Sequence, residues 1–205
     1  MAKFPDLPSS LSTIRAVTSA LPTGALLWRI YFRGGPHPTA WNSFRAFGPS
    51  GARFDHQIAP PSSQAREILY AAQSGPTCFA EVYQDTRVID RTRRDPWLVG
   101  FELARSVVLL DLTGTWPTQA GASMAIHSGP RSRARRWSQA IYSAYPTVEG
   151  LLYCSSMNAN KPAVALYERA RTALPARPMF HRSIGDPLLA PAVARAAQAF
   201  NYAIV

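Results

Sequence analysis

ILYAAQSGPTCFAEVYQ, residues 68–84, contains the change of periodicity that decides the fold. Its first part, extended back to REILYAAQ (66–73), is rich in apolar residues and predicts a strand. Pro76 then stands where a helix tolerates proline, at its first position, and residues 76–86 continue as a helix-friendly run. A strand passing straight into a helix points to a mixed fold. Glu81 sits inside the apolar part of that helix, between Phe79-Ala80 and Val82-Tyr83. A carboxylate there is either on the wet side of the helix or placed for chemistry.

Outward from this stretch, ALLWRIYF (25–32) is a strand bounded by Gly24 and Gly34-Gly35-Pro36. RSVVLLDLTG (105–114) is the clearest buried strand, and EGLLYCSS (149–156) is another, running into a polar turn. AVALYERA (163–170) fits a strand or a helix. HSGPRSRARRWSQAIYSAYP (127–146) predicts an amphipathic helix, with Trp137, Ile141 and Tyr145 recurring every four residues. The tail is helical and ends in a small strand-like piece. Residues 34–63 are rich in Gly, Pro and Ser, which marks a functional or disordered loop. Residues 1–24 read as an N-terminal arm with one short helix, and 25–205 as one domain. The expected class is α+β, a single domain with short mixed strands and no regular βαβ rhythm. No internal repeat and no Gly-rich phosphate fingerprint of the Rossmann or Walker kind occurs.

With 205 residues, 47% of them hydrophobic, the chain is large enough for a proper core. Its net charge of +10 is almost all arginine, which suits nucleic acid, an acidic protein or a phosphate-bearing small molecule. Cys78 and Cys154 both lie in apolar settings and read as buried free thiols. Two cysteines and four scattered histidines give no zinc spacing, so no metal is expected. No run approaches the roughly 20 apolar residues of a membrane span, and the start lacks a signal-peptide pattern. A cytoplasmic protein is the expectation.

Several single residues have a plain reading beside a functional one. Arg29, between Trp28 and Ile30, is an outward strand residue or an anion clamp. Arg53 in PSGARFDHQ is a solvated loop arginine or a binding residue. Tyr70 is a core tyrosine, and Ser155 and Ser156 are turn formers after a strand. RSRARR (131–136) is the wet face of a helix or a nucleic-acid patch, without the interleaved aromatics that stack bases.

Taken in order, WRIYF (28–32), SGARFDHQ (50–57), ILYAAQSGPTCFAEVYQ (68–84), VVLLDLTG (107–114) and EGLLYCSSMNANKPAVALY (149–167) resemble the RES domain family. The resemblance spans about residues 25–170. It implies a fold similar to ADP-ribosyltransferases and a toxin that degrades NAD⁺ or uses it as an ADP-ribose donor. It also implies pairing with a small helical antitoxin of the Xre-like kind. Carried over by motif, Arg29, Glu81 and Ser155 are the expected catalytic residues. Arg53, Tyr70, Tyr31 and Ser156 are the expected NAD⁺-binding residues. The loop here reads Gly-Ala-Arg-Phe-Asp (51–55) in place of a Gly-Gly-Arg-Trp-Asn-like run, and Cys154 stands where the family often has Pro. Ser156 competes with Ser155 for the serine role.

The chemistry suits the residue types. Breaking the nicotinamide–ribosyl bond builds positive charge on the ribose, which a fixed carboxylate stabilises. Arginines match the pyrophosphate, or an incoming inorganic phosphate, through paired charge-assisted bonds. Phosphorolysis, hydrolysis and ADP-ribosyl transfer to a protein remain open at this stage. A basic nucleic-acid-binding module is the reading from another class; otherwise nucleic acid enters only through the antitoxin.

Overall fold

The computed structural model describes residues 4–8 and 10–205. Eleven strands and four α-helices follow one another as β1 (Thr18–Leu21), β2 (Leu26–Phe32), β3 (Arg45–Gly48), β4 (Ser62–Ala72), α1 (Gly75–Val82), β5 (Val88–Ile89), β6 (Pro96–Glu102), β7 (Val107–Asp111), α2 (Trp116–Gln119), α3 (Arg131–Ala144), β8 (Gly150–Cys154), β9 (Pro162–Tyr167), β10 (Phe180–Ser183), α4 (Ala190–Phe200) and β11 (Ala203–Ile204). Short 3₁₀ turns punctuate them, the longest at Glu168–Ala173. The class is α+β.

The main sheet runs β1-β7-β8-β9-β4-β2-β6-β10, with β3 added on β4. Among the described residues, only its β7–β8 pair is parallel. Alternate residues of a strand go to opposite faces: Ile68 joins one core cluster and Leu69 the other, as do Leu110 and Leu109. The sheet is therefore buried on both sides. One face carries α1, α3 and α4 over Trp116, Trp137, Ile141 and Val193. The other buries Leu27, Phe44, Phe101 and Leu166.

The sheet is split in the middle, and the split makes the site. β2 pairs with β6 over all seven of its residues, but it meets β4 at one pair only, Trp28↔Ala72. Beyond that pair the two strands part. The edge of β4 that β2 gives up is taken by β3, through Arg45↔Ile68, while the other edge holds β9.

Helix α1 forms where expected. Ser74 caps it, its Oγ accepting from Thr77 N–H at 3.4 Å, and Pro76 falls in the first turn, where its missing N–H costs nothing. The helix buries Thr77, Cys78, Phe79 and Ala80, which leaves Glu81 at the edge of the buried face. α3 buries Ala134, Trp137, Ser138 and Ile141 and stops before Pro146.

One expectation needs correction, one strand goes unread in the sequence and one open alternative is resolved. β6, a central strand, goes unmarked in the sequence because it opens with Pro96 and holds Gly100, both strand-poor residues. Gly100 lets the Trp28 ring pack directly on the backbone: a Cβ there would lie 3.0 Å from Trp28 Cζ3 and push the ring aside. The stretch read as an N-terminal arm contributes β1, an edge strand in register with Leu21↔Val107; residues 1–3 and 9 of that stretch lie outside the described residues. AVALYERA resolves into strand β9 and then a 3₁₀ turn. Among the described residues, no helix is long and apolar enough to cross a membrane.

Candidate active site

The parting of β2 and β4 opens a groove with two lobes. The larger lobe, about 340 Å³, is lined by Arg53, Glu81, Gln84, His127, Arg131 and Ser156 among others. The smaller, about 210 Å³, is lined by Arg29, Ile30, Arg45, Ile68 and Cys78 among others. Tyr70, Glu81, Val82 and Tyr153 line both, so Glu81 stands where the lobes meet.

Glu81 is half-buried, and its Oε1 accepts from Ser155 Oγ at 2.5 Å. Ser155 is fully buried and itself accepts from the backbone N–H groups of Met157 and Asn158, both at 3.2 Å. With both its lone pairs taken, the hydroxyl has one role left, to donate its proton to the carboxylate. Asn158 Nδ2 donates to Thr77 Oγ1 at 2.9 Å, which ties the serine loop to α1. Ser156 is exposed on the wall of the larger lobe. Of the two serines, Ser155 is the one that holds Glu81.

Burial pushes the Glu81 carboxyl above the ordinary glutamate value; the Ser155 hydroxyl, then Arg53 and Arg131, pull the other way. Arg53 Nη1 donates to Gly129 O at 2.5 Å. Burial also lowers the pKa of Arg53. Arg29 Nη1 donates to Trp41 O at 2.8 Å and Ser43 O at 3.0 Å, and burial draws its pKa down to about 10, still charged at neutral pH. Among the described residues neither arginine has a carboxylate within ion-pair distance. Arg29 and Arg53 outnumber the one carboxylate, Glu81, that acts on Arg53 across the groove, and the excess positive charge favours an anion.

Arg45 is different. Its Nη2 lies 2.5 Å from Oδ1 of Asp55, a fully buried carboxylate that also takes the Tyr70 hydroxyl at 2.9 Å. Ser50 donates to the other oxygen through its N–H at 2.6 Å and its Oγ at 2.7 Å. Tyr70 in turn accepts from Phe54 N–H at 3.1 Å. The loop carrying Arg53 is thus fastened to β3 and β4, and Ser138 Oγ fastens it to α3 by donating to Phe54 O at 2.7 Å.

His127 closes the larger lobe. Its Nε2 faces Leu112 O at 2.9 Å and its Nδ1 receives Cys154 N–H at 3.4 Å. A carbonyl only accepts, so the ring is neutral with its proton on Nε2, and burial lowers its pKa accordingly. Cys78 Sγ donates to Trp28 O at 3.1 Å, and burial raises this thiol to about 12, so it is inert.

Five expected residues, Arg29, Arg53, Tyr70, Glu81 and Ser156, line the groove, and Ser155 supports Glu81 from behind its wall. Tyr31 is placed elsewhere: its hydroxyl lies 2.6 Å from His181 Nε2, and its ring packs farther along β2 in the cluster with Leu27 and Phe101. Arg45, Asp55, His127 and Arg131 carry no expectation as site residues from sequence. Arg131 is the first residue of RSRARR, and in place of a wet helix face it reaches Gln84 Oε1 at 2.8 Å in the lobe. Only the Gly-Ala-Arg-Phe-Asp departure points toward Asp55. Among the described residues, no cluster of His, Cys, Asp and Glu could hold a metal ion.

The RES domain model matches residues 26–185. A chain of the crystal structure of the M. tuberculosis MbcT–MbcA toxin–antitoxin complex superposes with a TM-score of 0.58, over 88% of this chain and 92% of that one. At 15% identity that likeness speaks for the fold. No curated protein sequence matches.

Proposed function

This chain belongs to the RES domain family, and from that premise we propose that it is a toxin-like enzyme that consumes NAD⁺ by cleaving the nicotinamide–ribosyl bond. Residues 25–205 are the NAD⁺-binding catalytic domain in this reading. The observation that carries it is the Ser155–Glu81 hydrogen bond at the meeting point of two lobes whose Arg29 and Arg53, among the described residues, have no carboxylate within ion-pair distance.

The bond from C1′ of the ribose to the nicotinamide nitrogen breaks, and its electron pair neutralises the pyridinium. Positive charge on the ribose is met by the Glu81 carboxylate, held in place by the Ser155 proton. Arg29 and Arg53 bind the pyrophosphate, and Tyr70 offers its ring to the nicotinamide. An oxygen of phosphate or water then bonds to C1′. The products are nicotinamide with ADP-ribose 1″-phosphate, or nicotinamide with ADP-ribose and a proton.

Purified protein incubated with NAD⁺, with and without inorganic phosphate, tests the reading by chromatography of the products. Phosphate-dependent loss of NAD⁺ assigns phosphorolysis, and phosphate-independent loss assigns hydrolysis. NAD⁺ that stays intact overturns the proposal. Label from NAD⁺ appearing on a polypeptide moves the activity to protein ADP-ribosylation.

A small helical antitoxin of the Xre-like kind is the proposed partner, acting on the toxin in the cytoplasm. Support comes from the toxin–antitoxin complex that holds the similar fold, and from the +10 charge, which an acidic partner complements. Growth arrest by the toxin, relieved by the co-expressed neighbour, is the expected result.

A further inference from the structure

A second arginine run, RTRR at 91–94, takes no part in the groove. Together with Arg33 it gathers at the end of the sheet where β2, β6 and β10 meet. There Tyr31 pairs with Trp97 and Phe32 with Pro96 across β2 and β6, and Trp97 pairs with Ser183 on its other side. Arg33 N–H to Asp95 O, 3.0 Å, and Gly34 N–H to Arg94 O, 2.9 Å, close the turn.

Two guanidinium groups at this end rest on aromatic rings. The Arg33 carbon Cζ lies 4.5 Å from the centroid of Trp97, and that of Arg94 lies 4.4 Å from Phe32. His181 adds a third ring, 4.7 Å from Trp97. The backbone is bent to make room. Arg94 itself has φ +67°, a left-handed conformation that side chains other than glycine seldom adopt. Gly35, at φ +86°, passes so close that a Cβ would lie 3.0 Å from Arg94 Cγ. Asp95, the next residue, is left-handed too, at φ +49°, and strain kept at this turn beside Gly35 marks a feature held by its surroundings.

The charge here is open. Arg33, Arg93 and Arg94 are exposed, and among the described residues none has a carboxylate within ion-pair distance. The nearby acids are engaged: Asp95 accepts from Trp97 Nε1 at 3.0 Å, Asp90 from the N–H groups of Thr92 and Arg93, and Asp186 from Arg182 at 2.8 Å.

We propose that this end of the sheet binds single-stranded nucleic acid. Arginine supported on a ring keeps its donors free for phosphate and offers a cationic face to an unpaired base. The two supported arginines flank the same end of the sheet, Arg33 on the Trp97 face and Arg94 on the Phe32 face, and supply the charge and ring faces that a single strand passing around that end requires. A duplex hides its base faces. An acidic protein needs the charge but not the ring supports.

Fluorescence anisotropy with a labelled oligo(U) or oligo(dT), set against a duplex of equal length across a salt series, tests this. The single strand should bind at least tenfold more tightly than the duplex. The double variant R33A/R94A should weaken binding about tenfold or more, as expected when one base is left unstacked. Its salt slope should be shallower by about 0.7 for each phosphate that is no longer neutralised. Gly35→Ala, which drives the Arg94 side chain from Phe32, should weaken binding by a smaller factor. NAD⁺ breakdown by R33A/R94A should stay at the wild-type rate, which shows that the variant is folded. Absence of single-strand binding, equal affinity for the duplex, or an unchanged double variant overturns the proposal. Tighter binding of polyglutamate than of the oligonucleotide also overturns it and assigns the surface to an acidic protein.

Discussion

Asp55 and Glu81 are both carboxylates withdrawn from water beside the same groove, and they are treated in opposite ways. Asp55 is fully buried with four donors on it, Arg45 and Tyr70 on one oxygen and Ser50 twice on the other. Nothing is left for a ligand. Glu81 is half-buried with Ser155 on Oε1, and it faces both lobes with no ion pair of its own among the described residues. A buried carboxylate with every lone pair filled is a fastening. One whose burial is only partly offset is poised to interact with whatever positive charge the groove receives.

Glu81→Gln breaks the comparison most directly. Turnover of NAD⁺ should fall by about 10²–10³-fold, the usual loss when one group aimed at a developing charge is removed. Stability should move the other way. Burial raises the folded-state pKa of Glu81, so the stabilising form is the protonated one, present at low pH and lost as pH rises through the folded value. At neutral pH the ionised carboxylate opposes folding. The glutamine variant should therefore melt no lower than the wild type. By the same sign, the acid limb of the wild-type pH–rate profile should lie above the ordinary glutamate value of about 4.3.

Asp55→Ala should do the reverse, with stability lost first. It strands a guanidinium, a phenol and a serine, which costs about 3–5 kcal/mol for a broken buried pair. In a chain of this size that lowers the melting temperature by roughly 6–20 °C. Asp55→Asn, which restores the Asn of the family-like loop, keeps an acceptor and should fall between. If thermal melts show Asp55→Ala unchanged, the network is not what holds the loop.

These opposite roles explain what was legible in the sequence. Arg29 sits in a short strand, Glu81 in a capped helix and Ser155 directly after the end of β8, and the patterns of these elements survive in the linear text. The fastening of Asp55 to Arg45 and Tyr70 depends on the loop folding back between β3 and β4, which no periodicity reports. RSRARR is legible as a helix face, but its arginines are shared out by tertiary contacts. Arg131 turns to the groove, while Arg133 and Arg136 reach Asp6. β6 is hidden by Pro96 and Gly100, and Gly100 makes sense only beneath the Trp28 ring. Tyr31 is a near neighbour of Arg29 in sequence, yet the two side chains, projecting from one face of β2, end at different partners.

Ser155→Ala should rank next. It leaves the N–H groups of Met157 and Asn158 without their acceptor, at about 1–3 kcal/mol, and frees Glu81 to turn. Turnover should drop about tenfold with KM for NAD⁺ little changed, since the serine acts through the carboxylate and not on the pyrophosphate. Ser156→Ala, on the exposed wall, should leave kcat near the wild type. A kcat loss in Ser156→Ala equal to that of Ser155→Ala would transfer the serine role.

The smallest effect is expected at Tyr31. Tyr31→Phe removes only the hydroxyl that meets His181 Nε2, a bond worth about 1 kcal/mol, and leaves the ring in its apolar bed. Steady-state NAD⁺ turnover should stay within about twofold, because the groove residues are fastened by Asp55 and Ser155 through contacts that Tyr31 does not share. A tenfold loss with an unchanged melt would mean that the site extends along β2 past Arg29. Asp55 and Glu81 would then be the two inner members of a longer arrangement, and the division between fastening and reactive groups would have to be redrawn to include the Tyr31–His181 pair.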